Sequence, residues 1–335
     1  MGLSAQDSAR IRDISFVAIC CVVFQHFCLL SGYKSEAVCF FSEVIWRGIL
    51  DWPVSWFFLI SGFFLARKFD GSFLWWRRAI VRRFRTLFIP YVIWNFLGAS
   101  IMLLYGKQFT FGDVFSNLGI TNAFPVVAPL WYVRNLLLLC IFSPVIIFVC
   151  RLLFTGGRWG ITLACVTFFG VLVAPFPAKR LFVMPITWFT IGVMLTFIKI
   201  TPVINKKLIV GCLCGVVGMI AVNSLVLRVE LPSLRFVLNA LVIINFYVFH
   251  DKIFGQLHIN QFISESVFFV YCFHGMIMLP IYNSHALLRC SYDHFAGIVL
   301  WLMVASGTIV FSVVSGYCIR ACCPKFFYVL TGGRG

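Results

Sequence analysis

The sequence predicts an all-α fold, a polytopic transmembrane helical bundle of about ten spans with both termini in the cytoplasm. Three observations lead to this prediction. Hydrophobic residues make up 61% of the 335-residue chain and charged residues only 11%, and the mean hydropathy is +0.99, far above that of a domain whose surface faces water. Apolar runs recur along the whole chain, and cations collect in alternate loops.

Ten apolar segments have roughly the 20 residues that cross a bilayer core at about 1.5 Å per residue. They lie near 14–31, 43–66, 86–105, 130–153, 159–175, 183–199, 208–227, 234–250, 263–282 and 295–318. No polar segment between them is long enough for a second domain, so residues 1–335 are predicted to form a single integral-membrane domain. The first span has no small-residue cleavage site after it and is expected to stay in the mature protein.

Lysine and arginine indicate the orientation of the spans, because short cytoplasmic loops carry an excess of them. Of the 27 in the chain, 18 lie on the side of the N-terminus and 8 on the opposite side. This excess predicts that both termini are cytoplasmic. Topology therefore explains most of the net charge of +16, with membrane lipid as the expected partner and no nucleic acid.

The 14 cysteines predict neither a metal site nor a redox centre. Most lie inside spans without a CxxC pair or a His/Cys ligand spacing, so they are interpreted as small apolar packing residues. Cys322 and Cys323, just past the last span, are weak candidates for lipidation. The sequence does not decide whether Cys39 and Cys290, both in outer loops, form a bridge.

His26 stands near the end of the apolar stretch DISFVAICCVVFQHF. If the helix starts near Ile14, His26 lies about 18 Å along it, past the midplane of a core about 30 Å thick. A neutral imidazole keeps one acceptor nitrogen, which suits a general base toward a hydroxyl. A core histidine bonded to a neighbouring helix is the alternative. Whether a carboxylate such as Glu43 or Asp51 assists it is open.

A second feature is the pair Ser61 and Gly62, which interrupts the bulky apolar stretch SWFFLISGFFLARKF. Small residues let another backbone or a thin ligand approach closely. Helix packing is the favoured interpretation, and a place in a substrate channel is the alternative.

A third feature is the run WWRRAIVRRFRTLFIPY, with five arginines before a span that carries Pro90. Arg78, Arg82 and Arg85 are spaced i, i+4, i+7, which predicts one guanidinium stripe on a helix at the cytoplasmic interface. Such a stripe suits phosphates, because the planar guanidinium matches phosphoryl oxygens with two bonds. Anchoring by the positive-inside rule explains the charge equally well.

A fourth feature is the stretch APLWYVRNLLLLCIFSPVI. Trp131 and Tyr132 are typical of the aromatic belt at a membrane interface. Arg134 follows inside the span, near the outer interface. It either binds a substrate or snorkels to the headgroups.

Together these stretches resemble the acyltransferase 3 family of polytopic inner-membrane O-acyltransferases, many of which O-acetylate cell-surface polysaccharides. The similar features are the first helix ending in His26, the FF-x-x-SGF block from Phe57, the RR-x-R-x-L-x-x-P-Y block from Arg82, and the P-L-W-[FY]-[LV] block from Pro129. A later stretch, SVFFVYCFHG, resembles the penultimate helix of that family with its histidine, here His274. The resemblance covers about residues 10–320.

The resemblance implies a multi-pass protein of the plasma (bacterial inner) membrane that takes an acyl group, such as acetyl, from cytoplasmic acyl-CoA. No bound cofactor is implied, since acyl-CoA is a co-substrate. Arg82 and Arg85 would hold the CoA phosphates, and His26 would serve transfer to a hydroxyl of a cell-surface glycan or lipid-linked saccharide. Ser61, Gly62, Trp131, Arg134 and His274 are the candidates for the channel and the acceptor site.

One position departs from the family pattern. The family has an arginine eleven residues before the histidine, which places both on one helix face about 16.5 Å apart. Here that position is Ser15. Arg12 lies on nearly the same face, but helical side chains tilt toward the N-terminus, so Arg12 should point away from the membrane interior and replace the arginine imperfectly.

Two other functions remain open from the sequence alone. One is a transporter or flippase for a lipid-linked or small anionic substrate, in which Arg134 and the arginine stripe bind the substrate. Matching Gly/Pro-broken helices in two halves, which are typical of transporters, are not seen. The other is an inactive membrane scaffold, which Ser15 makes conceivable. The outer-loop residues His285, Arg289, Asp293 and His294 are interpreted as solvated.

Overall fold

The computed structural model is helical, and no strand occurs in the residues that it describes. These are residues 4–27, 45, 50–107, 124–155, 157–160, 162, 180–198, 232–253, 255, 259, 261–284 and 294–333. In chain order the helices are α1 (Ala5–His26), α2 (Trp52–Arg67), α3 (Phe73–Arg83), α4 (Ile89–Leu104), α5 (Trp131–Thr155), α6 (Arg180–Met194), α7 (Pro232–Ile253), α8 (Gln261–Glu265), α9 (Val267–Ser284), α10 (His294–Cys322) and α11 (Pro324–Thr331). A π-helical turn, Phe84–Phe88, joins α3 to α4, and a 3₁₀ turn, Ala128–Leu130, precedes α5.

Eight of the ten predicted spans overlap helices of the described residues. The spans predicted at 159–175, apart from residues 159, 160 and 162, and at 208–227 lie outside the described residues. By length and composition, three described helical segments can cross a membrane, Phe73–Leu104, Ala128–Phe154 and Ala296–Cys322. Three shorter helical segments are apolar, Trp52–Arg67, Met184–Met194 and Val267–Ile281. The count of ten spans and the position of the termini stay predictions.

Helix α1 begins well before the expected start at Ile14. Ser4 is the N-cap, and its hydroxyl accepts a hydrogen bond from the backbone N–H of Asp7 at 3.0 Å. A capping hydroxyl satisfies one of the free N–H groups at a helix start and so fixes where the helix begins. The helix ends at His26, which is therefore its last residue rather than one in its interior.

Pro90 explains the π-helical turn between α3 and α4. In a regular α-helix the proline ring clashes with the carbonyl group four residues earlier, which here is the carbonyl of Thr86. The turn Phe84–Phe88 shifts the register just before Pro90 and relieves this clash. Gly332, which caps α11 with φ +64°, lies against the released Thr86 carbonyl, and a Cβ atom at Gly332 would overlap it. Only glycine fits both requirements.

The chain divides into two compact units, and the first contains residues 1–53, 85–134 and 246–335. Its central helix is α9, which contacts α1, α4, α10 and the 3₁₀ turn. Helix α11 packs on both α4 and α10, and the indole N–H of Trp94 donates to the carbonyl of Leu330 at 3.1 Å. A helix surrounded in this way is apolar on most of its circumference, as the sequence of α9 is.

The second unit contains residues 54–84 and 135–245. Two glycines bring α2 and α6 together, because a Cβ atom at Gly62 would overlap the carbonyl of Phe189 and one at Gly192 would overlap the carbonyl of Leu59. Small residues at both sides of a helix crossing allow this close backbone approach. Asn239 of α7 donates to the hydroxyl of Ser55 in α2 at 3.2 Å.

Candidate active site

Two histidines lie side by side in the first unit. The ring centroids of His26, at the end of α1, and His274, in the middle of α9, are 5.3 Å apart, and the ring planes meet at 38°. His274 has no exposed surface, whereas His26 is half-buried. The structure thus brings together two imidazoles that are 248 positions apart in the sequence.

The hydrogen bonding of His274 fixes its tautomer. Its Nδ1 atom lies 3.1 Å from the carbonyl oxygen of Val270. A carbonyl oxygen only accepts, so Nδ1 carries the proton and Nε2 of the neutral ring carries a lone pair. This Nε2 atom is buried and has no hydrogen-bond partner among the described residues. A buried acceptor without a partner costs free energy, so it indicates a place where a ligand donates.

Tyr271 stands one helical turn before His274, on the same face of α9. Its ring centroid is 5.8 Å from that of His274 and 5.7 Å from that of Tyr132. The Tyr271 hydroxyl donates to the carbonyl of Pro129. This contact ties the 3₁₀ turn before α5 to the helix that carries His274.

Asn95 of α4 holds the other end of the same turn. Its amide nitrogen donates to the Tyr91 carbonyl at 2.8 Å, and its carbonyl oxygen accepts from the backbone N–H of Val127 at 3.3 Å. Asn95 and Val127 are both buried. Buried polar contacts of this kind specify one arrangement of the backbone, because breaking them leaves groups unpaired.

Gly275 allows the turn to lie close to α9. A Cβ atom at Gly275 would come within 2.6 Å of Cγ1 of Val127 and 3.7 Å of Cγ of Pro129. The residue after His274 is therefore small because the segment before α5 occupies the space of a side chain. The P-L-W block and the penultimate-helix block, which are far apart in the sequence, meet here.

Trp131 and Arg134 follow this turn in the first helical turn of α5, and both side chains are half-buried. The Arg134 guanidinium interacts electrostatically with the buried Tyr91 phenol. Three of the predicted candidates, His274, Trp131 and Arg134, thus belong to the unit that contains His26.

Contacts at both ends hold α1 in place. At its C-terminal end, the indole N–H of Trp301 in α10 donates to the carbonyl of Phe24 at 2.9 Å, and the two rings meet edge to face. The last carbonyls of a helix have no partner inside it. The hydrogen bond from Trp301 gives the Phe24 carbonyl a partner and fixes the helical turn that carries His26.

An ionic cluster binds the N-terminal half of α1 to the end of α7. Nε2 of His250 lies 2.9 Å from the buried Asp13 carboxylate and Nδ1 lies 3.1 Å from the Asp251 carboxylate. Arg10 donates to Asp251 at 2.5 Å. Both ring nitrogens of His250 thus face carboxylate oxygens. The hydrogen bonds from Arg10 and from His250 lower the pKa of Asp251 to about 2.

The remaining predicted residues lie elsewhere. Arg12 is exposed, and the Ser15 hydroxyl donates to the Ile11 carbonyl at 2.6 Å within α1. Arg78 and Arg82 are exposed on α3 of the second unit, and Arg85 is exposed in the π-helical turn of the first.

The π turn changes the predicted stripe. Arg78 and Arg82 lie on α3, whereas Arg85 lies in the π-helical turn, so the three do not share one regular α-helix. In the second unit, half-buried Ser61 adjoins Gly62, where α2 meets the α6 backbone.

Several residues of the earlier predictions cannot be placed. Glu43, Cys39, Cys290, His285, Arg289 and Asp293 and the side chain of His294 lie outside the described residues. Asp51 is described and half-buried. The structure shows exposed side chains for Cys322, the last residue of α10, and for Cys323, which directly precedes α11.

Sequence reasoning missed Tyr271, Asn95 and His250. The i, i+3 spacing of Tyr271 and His274 was a usable signal, since it places both on one helix face. Asn95 and His250 gave no local signal, because their partners are 32 and 237 positions away.

The fold is thus that of an all-helical membrane protein in which two imidazoles meet beside the central helix of one unit. A family model described as an acyltransferase domain matches residues 16–317, which is most of the chain, so the protein belongs to the acyltransferase 3 family. Membership supports a membrane acyltransferase. Comparison with curated proteins and with solved structures gave no match.

Proposed function

We propose that this protein is a multi-pass plasma-membrane O-acyltransferase that moves an acyl group, acetyl in the first instance, from cytoplasmic acyl-CoA to a hydroxyl of a cell-surface glycan or a lipid-linked saccharide. The family supports acyl transfer. The single observation that carries the proposal is the His26–His274 pair with its open acceptor nitrogen.

A saccharide suits this pair because its hydroxyls stand on neighbouring carbons. One hydroxyl donates to His26 and becomes the nucleophile. The next hydroxyl donates to Nε2 of His274, whose tautomer leaves that nitrogen only an accepting role while the ring is neutral. Two bonds to adjacent groups orient the acceptor, and such orientation supplies a large part of the rate of a two-substrate reaction.

The chemical step then needs one base and one acyl donor. His26 takes the proton of the acceptor hydroxyl while the hydroxyl oxygen attacks the carbonyl carbon of the thioester. A tetrahedral intermediate forms and collapses, the C–S bond breaks, and the proton on His26 passes to the leaving thiolate. The products are the O-acyl ester and free CoA, so no net proton is released.

The donor side of the proposal depends on the arginine block. Arg78, Arg82 and Arg85 are exposed, as ligands of mobile phosphates must be. Guanidinium groups bind phosphate oxygens with two parallel bonds. Ser15 in place of the family arginine means that these three arginines carry the phosphates without help from the middle of α1.

The experiment is turnover of radiolabelled acetyl-CoA by purified protein in liposomes that contain a glycan acceptor. We compare wild type with His26→Ala, His26→Gln and the double variant Arg82→Ala/Arg85→Ala. The matched control is Arg77→Ala/Arg83→Ala, which removes the same charge from the same segment. Loss of a positioned general base typically costs about 100- to 10,000-fold in rate.

The expected result is acetyl transfer by wild type, loss with both His26 variants, and a raised KM for acetyl-CoA with Arg82→Ala/Arg85→Ala only. Equal effects of the two arginine pairs would mean that the cations act through general charge. A folded wild type that neither binds nor consumes acetyl-CoA would overturn the proposal and favour transport or a scaffold role.

A further inference from the structure

A groove opens where α8 meets the C-terminal end of α10, away from the histidine pair. Its volume is about 480 Å³, and it is lined by Gln261, Phe262, Glu265, Tyr317, Arg320 and Ala321. Pockets for small molecules have volumes of about 300–1,000 Å³. By the positive-inside count, Arg320 places this groove on the predicted cytoplasmic side of the membrane.

Aromatic and guanidinium surfaces form two of the groove walls. The rings of Phe262 and Tyr317 meet edge to face with centroids 5.5 Å apart. The Arg320 guanidinium lies over the Phe262 ring at 5.5 Å. Tyr317 is 62% exposed, although it is a large apolar ring. A planar ligand stacked on Tyr317 would cover this surface.

The polar groups of the groove balance in charge. Glu265 accepts from Arg320 at 3.1 Å through one oxygen and from Gln261 at 2.7 Å through the other. A carboxylate has about four lone-pair sites, so Glu265 can accept a further hydrogen bond. With one cation paired to one anion, the groove does not select phosphate. It suits a neutral planar group that donates a hydrogen bond.

We infer that this groove binds the adenine ring of the acyl-CoA donor, with the ring stacked on Tyr317 and its exocyclic amine donating to Glu265. The inference rests on the proposed function. It adds a subsite for the part of the donor that does not react. The Tyr317 ring can stack on any purine, so stacking alone is not selective. The Glu265 carboxylate selects adenine, because it accepts a hydrogen bond from the exocyclic amine.

The position of the groove along α9 fits this assignment. Ser266, which follows Glu265, is continuous with α9 through the bond from the Val270 N–H to the Ser266 carbonyl. His274 is eight residues further, or about 12 Å at the helical rise. Along α9 the backbone that follows the groove and the backbone of His274 are therefore about 12 Å apart, a distance that the ribose, diphosphate and pantetheine of acyl-CoA can bridge together.

Two acyl donors separate this inference from the proposed function. Acetyl-CoA carries the adenine, whereas acetyl-4′-phosphopantetheine carries the same thioester without it. With Tyr317→Ala we expect KM for acetyl-CoA to rise roughly tenfold or more, with little change in kcat and no change in the kinetics of the truncated donor. Tyr317→Phe keeps the stacking surface and should behave as wild type.

The matched control is Tyr328→Ala on α11, since Tyr328 is also 62% exposed but does not line the groove. This variant should leave the kinetics of both acyl donors unchanged. Direct binding of 3′,5′-ADP by the full-length protein in detergent gives a readout that needs no turnover. The corresponding inosine bisphosphate, whose exocyclic oxygen cannot donate to Glu265, should bind more weakly than 3′,5′-ADP.

The outcomes distinguish the two proposals. If Tyr317→Ala raises KM for both donors equally, or if 3′,5′-ADP binds Tyr317→Ala as it binds wild type, the adenine subsite is wrong and acyl transfer stands. If wild type binds 3′,5′-ADP through Tyr317 but turns over neither donor, the subsite stands and the transferase proposal fails. If wild type neither binds 3′,5′-ADP nor uses acetyl-CoA, both are wrong.

Discussion

Gly275→Ala tests the packing that brings the segment before α5 against the histidine pair. The added methyl group would come within 2.6 Å of Cγ1 of Val127, whereas carbon atoms in contact are about 3.5–4.0 Å apart. The backbone must therefore separate by about 1 Å. Overpacking of this kind costs about 1–3 kcal/mol, and the shift moves Pro129 away from its bond with Tyr271.

The assay has two readouts, the thermal melting temperature of purified protein in detergent and the rate of acetyl transfer. We expect Gly275→Ala to lower both. Because the obstacle is one methyl group of a buried side chain, Val127→Ala removes it, and the double variant Gly275→Ala/Val127→Ala should recover a large part of both losses. The matched control is Gly307→Ala in α10, where a Cβ atom meets nothing within 4 Å.

The double variant decides the result. Neighbouring residues that share one steric conflict are not additive. If the double variant loses as much as the two single variants combined, the contact between Gly275 and Val127 does not limit the packing and the reasoning is refuted. If Gly307→Ala lowered the melting temperature and the transfer rate as much as Gly275→Ala, any glycine-to-alanine change in these helices would destabilise the protein.

Three further predictions concern other contacts. Trp301→Phe removes the indole N–H that bonds the Phe24 carbonyl, so we expect a loss of about 1 kcal/mol of stability and slower acetyl transfer, measured by melting and turnover. Gly62→Ala places a methyl group against the backbone carbonyl of Phe189, which no mutation can shorten. The melting temperature should therefore fall, and no second side-chain substitution should restore it. Asp251, with its pKa lowered to about 2, stabilises the fold above its unfolded pKa of about 4, and this contribution should disappear as the pH falls from about 4 to about 2. Asp251→Asn should remove that part of the pH dependence of melting.

Each of these predictions has its own control. Trp159→Phe changes an exposed indole and should leave melting and turnover unchanged. An unaltered melting temperature in Gly62→Ala would contradict the close crossing of α2 and α6. The Asp251 carboxylate is half exposed, so solvent screens its ion pair and the effect is small. An identical melting curve for Asp251→Asn and wild type between pH 2 and pH 5 would contradict the assigned shift.

Much of the fold follows from local sequence signals. Helix existence follows from apolar runs of fixed length, because each run satisfies its own backbone hydrogen bonds. Eight predicted spans overlap described helices. Helix ends are less predictable, since they depend on single residues. The Ser4 cap extends α1 to Ala5, and Pro90 imposes a π turn that interrupts the predicted arginine stripe.

The sequence by itself determined the all-helical membrane class and the family, and it predicted His26 as the candidate catalytic residue. Composition, span length and ordered short motifs are local properties, so they can be seen without coordinates. Only the tertiary structure decided which polar groups meet. His274 lies beside His26, Tyr271 bonds Pro129, and Asp13 pairs with His250. These pairs are separated by 142–248 positions, so no local pattern predicts them, and only the packing of helices that are distant in the sequence brings them into contact.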